Sequence, residues 1–396
     1  MISSCGYFST GLKAARPILK TGEAMHLKPF LLDQWLNHYK FADPPVEFDL
    51  ASSTGPVWTL RQLLALGNRD EPENLLDMDL VYSDASGSRA LRESLAEMQG
   101  VDPSHIHVVT GASEALLILF FLASRAGANA ILPSPGYPPI VELPPSLGIE
   151  ARYYHLRREN NFRIDTDEIK RLADDNTALI LVNSPHNPTG ATLSDEELQS
   201  LHDFAAERGI QFVVDEVYHP IYHERETQSA ARLPQATVLG DFSKALCLSG
   251  LRTGWMVERD PHRIEQYLNA RSYFTVSNSP TNELLATIAV RHRDTIFNRV
   301  RETTNVSLAL LDQFFEEFKN VLGWVRPQGG MTAFPWLKSD ADSRVFCRAM
   351  AERGVLLAPG DCFGMPAHFR FGFGASGKQF PQALERLADS IKNYLD

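Results

Sequence analysis

The sequence has few cysteines, and those it has are scattered. The four are Cys5, Cys247, Cys347 and Cys362, and no two of them form a CxxC pair. This spacing excludes a dense disulfide framework and a cysteine-rich metal site. A reducing, cytoplasmic environment is therefore the expected location.

Positive charge and long apolar runs are also scarce. The 396 residues carry 38 Lys and Arg against 49 Asp and Glu, for a formal net charge of −11. An acidic chain without a basic run is a poor nucleic-acid partner, although one local site can still hold a small anion. The best apolar run, Ala115–Ala123, has nine residues, whereas a membrane-spanning helix needs about 20. We expect neither a nucleic-acid partner nor a membrane association.

Between residues 69 and 280, apolar runs alternate with helix-like segments. Strands that are apolar on both faces and alternate with helices are typical of a mostly parallel sheet covered on both sides. The pattern therefore predicts a large α/β domain over residues 69–280. The predicted strands are Ile106–Thr110, Asn129–Pro133, Thr177–Asn183, Gln211–Asp215 and Ala236–Leu239. The predicted helices are Glu114–Arg125 and Asp195–Arg208.

The pattern changes after residue 280. Residues 281–396, together with the aromatic-rich residues 26–68, are predicted to form a smaller α+β domain. Residues 1–25 are predicted to be a disordered leader. The predicted helices here are Pro280–Arg299, Val306–Phe318 and Pro381–Leu395. The predicted strands are Thr332–Trp336, Val355–Ala358 and Phe369–Phe373.

Polar residues stand at the carboxyl ends of four predicted strands, where sheets of this kind bind ligands. The turn Thr110–Ser113 opens a helix, and its N–H groups can be directed at a phosphate. The other ends carry amides, an acid with a phenol, and a lysine. These residues are Asn183 and Asn187, Asp215 and Tyr218, and Ser243 and Lys244.

Each of these residues also has an ordinary structural interpretation. Lys244 is either a surface lysine or an imine-forming lysine whose amine pKa is lowered by a cation such as Arg252. Asp215 either caps a helix or keeps a pyridine nitrogen protonated. His219 and His223 have no third ligand at a recognisable spacing, so no metal site is predicted.

Four motifs occur in the order and spacing of class I and II aminotransferases. From about residue 48 to 396 the chain resembles this family, which implies pyridoxal 5′-phosphate (PLP) as cofactor and PLP-dependent transferase fold type I. That fold has a mostly parallel, seven-stranded-type sheet with helices on both faces and a smaller α+β domain. The motifs are S-P-H-N-P-T-G-A (Ser184–Ala191), D-E-V-Y (Asp215–Tyr218), S-K-A-L-C-L-S-G-L-R-T-G-W (Ser243–Trp255) and F-R-F-G-F (Phe369–Phe373).

The resemblance also implies a role for each matching residue. Lys244 forms the internal aldimine and later moves the Cα proton, and Asp215 pairs with the pyridinium nitrogen. Tyr218 and Asn187 hydrogen-bond the ring oxygen, and Tyr137 stacks on the ring. The residues implied to hold the phosphate are Ala112, Ser113, Ser243 and Arg252.

Three further residues are implied to complete the site. Arg370 binds the substrate α-carboxylate as a bidentate fork, and Gly55, in S-S-T-G-P, borders the substrate. Tyr82, in V-Y-S-D-A-S-G, matches the tyrosine that reaches the phosphate of the neighbouring subunit. This implies a homodimer with its active sites at the interface.

One position departs from the family. Many relatives carry a serine or threonine three residues before the lysine, as a phosphate ligand, where this chain has Asp241. A carboxylate repels a phosphate dianion. We therefore expect Asp241 either to point away or to have another partner.

Three segments outside the shared motifs resemble the capreomycidine synthase family of hydroxyarginine cyclases: Gly329–Pro335, Ala358–Gly364 and Leu31–Leu36. This implies elimination and intramolecular cyclisation of a hydroxylated arginine, as in natural-product biosynthesis, without net amino transfer. Ordinary transamination to a 2-keto acid uses the same cofactor residues and stays open. A cyclase also needs an acidic or carbonyl cage for the guanidinium. The candidates for that cage are Asp33, Asp49 and Asp84.

Overall fold

The computed structural model describes residues 27–375 and 377–395, so the predicted leader over residues 1–25 lies outside the described part. The helices are α1 (Leu31–Lys40), α2 (Leu60–Leu64), α3 (Glu71–Leu76), α4 (Arg89–Gln99), α5 (Ala112–Ala123), α6 (Pro138–Ser146), α7 (Thr166–Leu172), α8 (Asp195–Arg208), α9 (Pro261–Phe274), α10 (Pro280–Arg291), α11 (Arg293–Glu317), α12 (Ser343–Glu352) and α13 (Phe380–Leu395). The strands are β1 (Phe48–Asp49), β2 (Ile106–Val109), β3 (Asn129–Ser134), β4 (Glu150–His155), β5 (Thr177–Asn183), β6 (Gln211–Asp215), β7 (Ala236–Asp241), β8 (Gly254–Val257), β9 (Leu322–Gly323), β10 (Thr332–Ala333), β11 (Trp336–Leu337), β12 (Val355–Leu356), β13 (Ala358–Pro359) and β14 (Phe369–Gly372).

A seven-stranded sheet forms the centre of the molecule, in the order β2-β8-β7-β6-β5-β3-β4. Strands β3 to β7 pair in parallel, whereas β8 runs antiparallel to both of its neighbours. The predicted mostly parallel α/β sheet is therefore confirmed. Strands β4 and β8 were not predicted.

Helices cover both faces of this sheet. Successive side chains of a strand point to opposite faces, and Val213 and Val214 of β6 accordingly enter two different apolar cores. Leu116 of α5 lies in the same core as Val213. Leu201 of α8 lies in the core of Val214. Burial on both sides is the reason that β5 and β6 read as continuous apolar runs.

The boundary between the two long helices was predicted wrongly. Helix α10 ends at Arg291 and α11 continues through the predicted gap between Arg299 and Val306. The hydroxyls of Thr303 and Thr304 there bond the carbonyls one turn back. These threonines are poor helix formers in isolation, but this helix accommodates their hydroxyls and buries Thr304 on its packed face.

The amino-terminal segment packs against the carboxyl-terminal part of the chain. Strand β1 pairs in parallel with β12, with Phe48 opposite Val355, and the indole of Trp35 donates a hydrogen bond to the Leu357 carbonyl at 2.8 Å. The division into a large and a small domain stays a prediction. In the part of the chain that is described, no helix has the length and apolarity needed to cross a membrane.

Candidate active site

A cavity of about 170 Å³ opens at the carboxyl edge of the central sheet. Strands β2, β5, β6 and β7 end there, as expected for a site in an α/β sheet. The cavity brings together nine of the residues singled out from the sequence, whose roles stay predictions. They are Ala112, Ser113, Tyr137, Asn187, Asp215, Tyr218, Ser243, Lys244 and Arg252.

Lys244 lies in the turn after β7 and reaches into this cavity. Its Nζ donates a hydrogen bond to Ser53 Oγ at 3.0 Å. Burial, reinforced by the nearby Arg370 guanidinium, lowers the pKa of the Lys244 amine to about 8. A substantial fraction of this amine is therefore neutral, and nucleophilic, at mildly alkaline pH.

Asp215 ends β6 and is buried. Its Oδ1 accepts a hydrogen bond from the Val217 amide at 3.1 Å, and its backbone carbonyl accepts one from Asn183 Nδ2 at 3.0 Å. Burial raises the pKa of the Asp215 carboxyl to about 7, against the lowering effect of the Val217 amide. A cation placed beside this carboxyl would favour its charged form, which is what a pyridinium nitrogen supplies.

Tyr218 presents a buried hydroxyl with no hydrogen-bond partner. The Ser53 hydroxyl is near it but does not meet hydrogen-bond geometry. Burial raises the pKa of Tyr218 to about 12, so the phenol stays a donor. An unpaired buried donor is costly unless a ligand satisfies it, and a ring oxygen of the cofactor is such a ligand.

The turn before α5 forms a cup that suits an anion. Gly111 has φ +75°, and a Cβ there would lie 2.7 Å from Arg252 Nη2, so this position requires glycine. The Arg252 guanidinium also donates to Ser243 Oγ at 3.2 Å. Two serine hydroxyls, a helix amino terminus and a guanidinium are the groups that bind phosphate. We call Gly111–Ser113, Ser243 and Arg252 the phosphate cup.

Asp241 has partners inside this cup. One carboxylate oxygen accepts a hydrogen bond from the Ala112 amide at 2.6 Å, and the other accepts one from the Ser243 amide at 2.5 Å. Of the two expected alternatives, the structure therefore has the one in which Asp241 is held by another partner. It does not point away from the cup.

Arg370 lies beside the cavity and is only 2% exposed. Its Nη2 donates to the Ala51 carbonyl at 2.8 Å and its Nη1 to Asn187 Oδ1 at 3.3 Å, while its Nε has no partner. The guanidinium also packs over the Phe363 ring, 5.2 Å from its centroid. Burial lowers the pKa of Arg370, yet a guanidinium remains charged. A buried cation with an unpaired N–H is suited to a carboxylate.

Two predicted residues lie outside this cavity. Gly55 borders a neighbouring cavity of about 370 Å³, where a Cβ would collide with Cys247 Sγ. Tyr82 is 83% exposed, so within its own chain it takes no part in the site.

The three acids proposed as a guanidinium cage do not line the cavity either. Asp33 accepts from Asn37 on the surface of α1. Asp49 pairs with Lys40 at 2.9 Å. Asp84 is held within its own loop by hydrogen bonds from Ser86. The proposed cage is therefore not assembled by this chain.

Sequence reasoning missed several residues that touch the site. Ser53 is the most important of them, and it lies in the same S-S-T-G-P segment that had singled out Gly55. Leu116 and Val217 line the cavity close to predicted ligands. Phe363, under Arg370, lies in a segment noted only for its likeness to the cyclases.

Two kinds of comparison bear on this site. The family model for aminotransferase class I and II matches residues 64–391. Capreomycidine synthase from Streptomyces vinaceus is 29% identical, over 92% of this chain and 94% of its own length.

Solved structures agree with that family. A PLP-dependent aminotransferase from Streptococcus suis 89-1591 has a TM-score of 0.85 and 28% identity, covering 93% of this chain and 98% of its own. The PLP-dependent cyclase OrfR has a TM-score of 0.83 and 26% identity, covering 95% of this chain and 100% of its own. The predicted resemblance is confirmed.

Proposed function

Because the chain belongs to the class I and II aminotransferase family of PLP-dependent enzymes, we propose that it acts on a free amino acid by eliminating the hydroxyl of a hydroxylated arginine and closing a ring. The observation that carries this proposal is the likeness to capreomycidine synthase over 92% of the chain. The structural similarity to a cyclase supports the same choice. Likeness of this extent reaches well beyond the shared cofactor motifs.

The cavity has the groups that PLP requires. Lys244 offers a depressed amine, Asp215 a buried acid, Tyr218 an unpaired donor, and the phosphate cup an anion site. When bound, PLP supplies an aldehyde that takes up an amino group and a ring that delocalises the negative charge left by loss of the Cα proton. We assign Asp215 to the ring nitrogen and Tyr218, with Asn187, to the ring oxygen.

The residues of this chain then perform the proton chemistry. Arg370 binds the α-carboxylate and so orients the substrate Cα. Lys244, as a neutral amine, removes the Cα proton and later returns it. The side-chain hydroxyl leaves as water, and a guanidine nitrogen forms the new bond to carbon. The balance is loss of one water from the substrate, with no oxidant or amino acceptor.

We also propose a homodimer. Large apolar side chains are exposed on and before the segment that carries Tyr82: Leu76 is 76% exposed, Leu80 82% and Val81 67%. An exposed apolar patch of this kind is typical of an interaction surface. In the dimer, Tyr82 would reach the phosphate cup of the partner subunit.

Transamination is the second candidate, and one observation favours it. The two carboxylates that line the cavity, Asp215 and Asp241, are both engaged, so this chain provides no evident free carboxylate for a guanidinium. The Streptococcus suis relative is itself called an aminotransferase. A transaminase needs a keto acid to complete its cycle.

Product mass with and without a keto acid distinguishes the two functions. The PLP-loaded enzyme is incubated with 3-hydroxyarginine or 4-hydroxyarginine and no acceptor, and arginine, which lacks the leaving group, is the matched control. Cyclisation gives a product lighter by one water from a hydroxylated substrate and none from arginine. Turnover that occurs only with pyruvate or 2-oxoglutarate would overturn the cyclase proposal.

A further inference from the structure

The carboxylate of Asp241 occupies the place where a phosphate is expected. It is 6% exposed, and each of its oxygens accepts a backbone amide, that of Ala112 at 2.6 Å and that of Ser243 at 2.5 Å. A Cβ on Gly111 would lie 3.2 Å from Asp241 Oδ2 and 2.7 Å from Arg252 Nη2. The acid and the guanidinium thus both border the floor of the cup.

The amides of this turn are in short supply. The Gly111 amide is bonded to the Val109 carbonyl at 2.9 Å, and the Glu114 amide to the Gly111 carbonyl at 3.1 Å. The Ala112 amide, which opens α5, is therefore a donor that a phosphate needs and that Asp241 holds. A hydroxyl at this position, as in many relatives, would add a donor without adding a negative charge.

We propose that Asp241 is a built-in competitor for the cofactor phosphate. It caps α5 in the apoenzyme, and an incoming phosphate must take the Ala112 amide from it against the repulsion of two anions. Asp241 therefore weakens retention of the phosphorylated cofactor and leaves PLP more exchangeable than a serine would. This rests on assigning the cup to the cofactor phosphate, but not on the choice between cyclisation and transamination.

The first test compares cofactors with and without a phosphate. Dissociation constants of PLP and of unphosphorylated pyridoxal are measured for apoenzyme of the wild type, Asp241→Ser and Asp241→Asn. We expect PLP to bind Asp241→Ser about 10-fold more tightly, which corresponds to about 1.4 kcal/mol, with pyridoxal affinity unchanged. The gain for Asp241→Asn is expected to be smaller, because the amide of asparagine offers one acceptor oxygen in place of two.

Asp165→Ser is the matched control. Asp165 caps α7 and also accepts two backbone amides, those of Asp167 and Glu168, at 2.9 and 3.0 Å. Its replacement removes the same charge and the same kind of cap outside the cavity. Neither cofactor affinity should change. Unchanged or weaker PLP binding by Asp241→Ser contradicts the proposal.

Inorganic phosphate gives a second readout that needs no aldehyde chemistry. Without ligand, Asp241→Ser should melt about 1–3 °C below the wild-type apoenzyme because a helix cap is lost. Added phosphate should raise the melting temperature of Asp241→Ser but hardly that of the wild type. If neither variant folds, the wild type still decides, since clear protection of it by phosphate refutes competition.

Arg252→Gln separates this inference from the assignment on which it rests. Loss of PLP affinity with pyridoxal affinity kept supports the cup as the phosphate site. Equal loss for both cofactors, or no loss, overturns that assignment, and the competitor role of Asp241 with it.

Discussion

Lys244 Nζ donates a hydrogen bond to Ser53 Oγ at 3.0 Å, across 191 positions of the chain. The amine that performs the proton transfers is thereby oriented by a segment that lies outside the central sheet. Ser53 also lies close to the unpaired Tyr218 hydroxyl. It is therefore a positioning residue, because it acts through Lys244.

Replacement of Ser53 by alanine should reduce turnover more than substrate binding. One hydrogen bond of this kind contributes about 0.5–1.5 kcal/mol, so we expect kcat to fall roughly 3-fold to 10-fold with KM nearly unchanged. Ser52→Ala is the control, since that neighbouring hydroxyl donates to Asp49 instead. A fall in kcat that is equal in the two variants would show a general disturbance of the loop.

Attachment of the cofactor to the apoenzyme should depend on the protonation of Lys244. The neutral amine is the reactive form, so the attachment rate should rise with pH, with a midpoint near the lowered pKa of about 8. In Arg370→Gln the midpoint should move upward, because a repelling cation is removed. Stopped-flow absorbance measures both profiles, and Arg344→Gln, at a guanidinium held by Asp361, is the control. An unshifted midpoint in Arg370→Gln contradicts this account.

The apoenzyme should lose stability as pH rises through the acid range. Burial raises the pKa of Asp215 to about 7, so the folded protein keeps a proton that the unfolded chain has lost above about pH 4. Stability attributable to this group therefore falls between about pH 4 and pH 7, by at most ~4 kcal/mol.

Asp215→Asn tests this sign directly. At about pH 8 the variant apoenzyme should melt above the wild type, and near pH 4 the two should converge. Loading with PLP should reduce the difference at about pH 8, because the wild-type carboxylate gains a cationic partner. A variant that is less stable than the wild type at every pH would show that the carboxyl is a net stabilising group.

The proposed dimer predicts complementation between two defective subunits. Lys244→Ala and Tyr82→Phe each impair their own homodimers, the first through loss of the amine and the second through weaker PLP binding. A mixed dimer has one site with both Lys244 and the partner's hydroxyl, so it should regain about half of the wild-type activity. Tyr273→Phe is the control, because Tyr273 is equally exposed at 83%. Mixtures without recovery contradict a shared site.

The sequence allowed the central strands to be predicted well. Strands β5 and β6 matched their predicted bounds because both faces are buried and each run ends at a polar residue. Strand β4 was missed because it is an edge strand of mixed polarity, E-A-R-Y-Y-H. Strand β8 has only four residues, and its glycine disguises it.

The cavity was predictable wherever its residues follow strand ends. Asp215 and Lys244 are of this kind, because parallel strands bring their carboxyl ends to one edge. Ser53 was not, since no periodic pattern connects its segment with the sheet. The position of Asp241 was left open for a different reason: its residue type indicates repulsion from an anion, but only the coordinates show which amides it accepts.

The pairing of β1 with β12 has a consequence for synthesis of the protein. Phe48 finds its partner, Val355, only when the ribosome has made nearly all of the chain. The segment carrying Ser53 must therefore wait in the nascent polypeptide while the central sheet forms. Maturation of the pocket is thus a late event, and premature termination before Val355 removes a support from the amine as well as the residues beyond it.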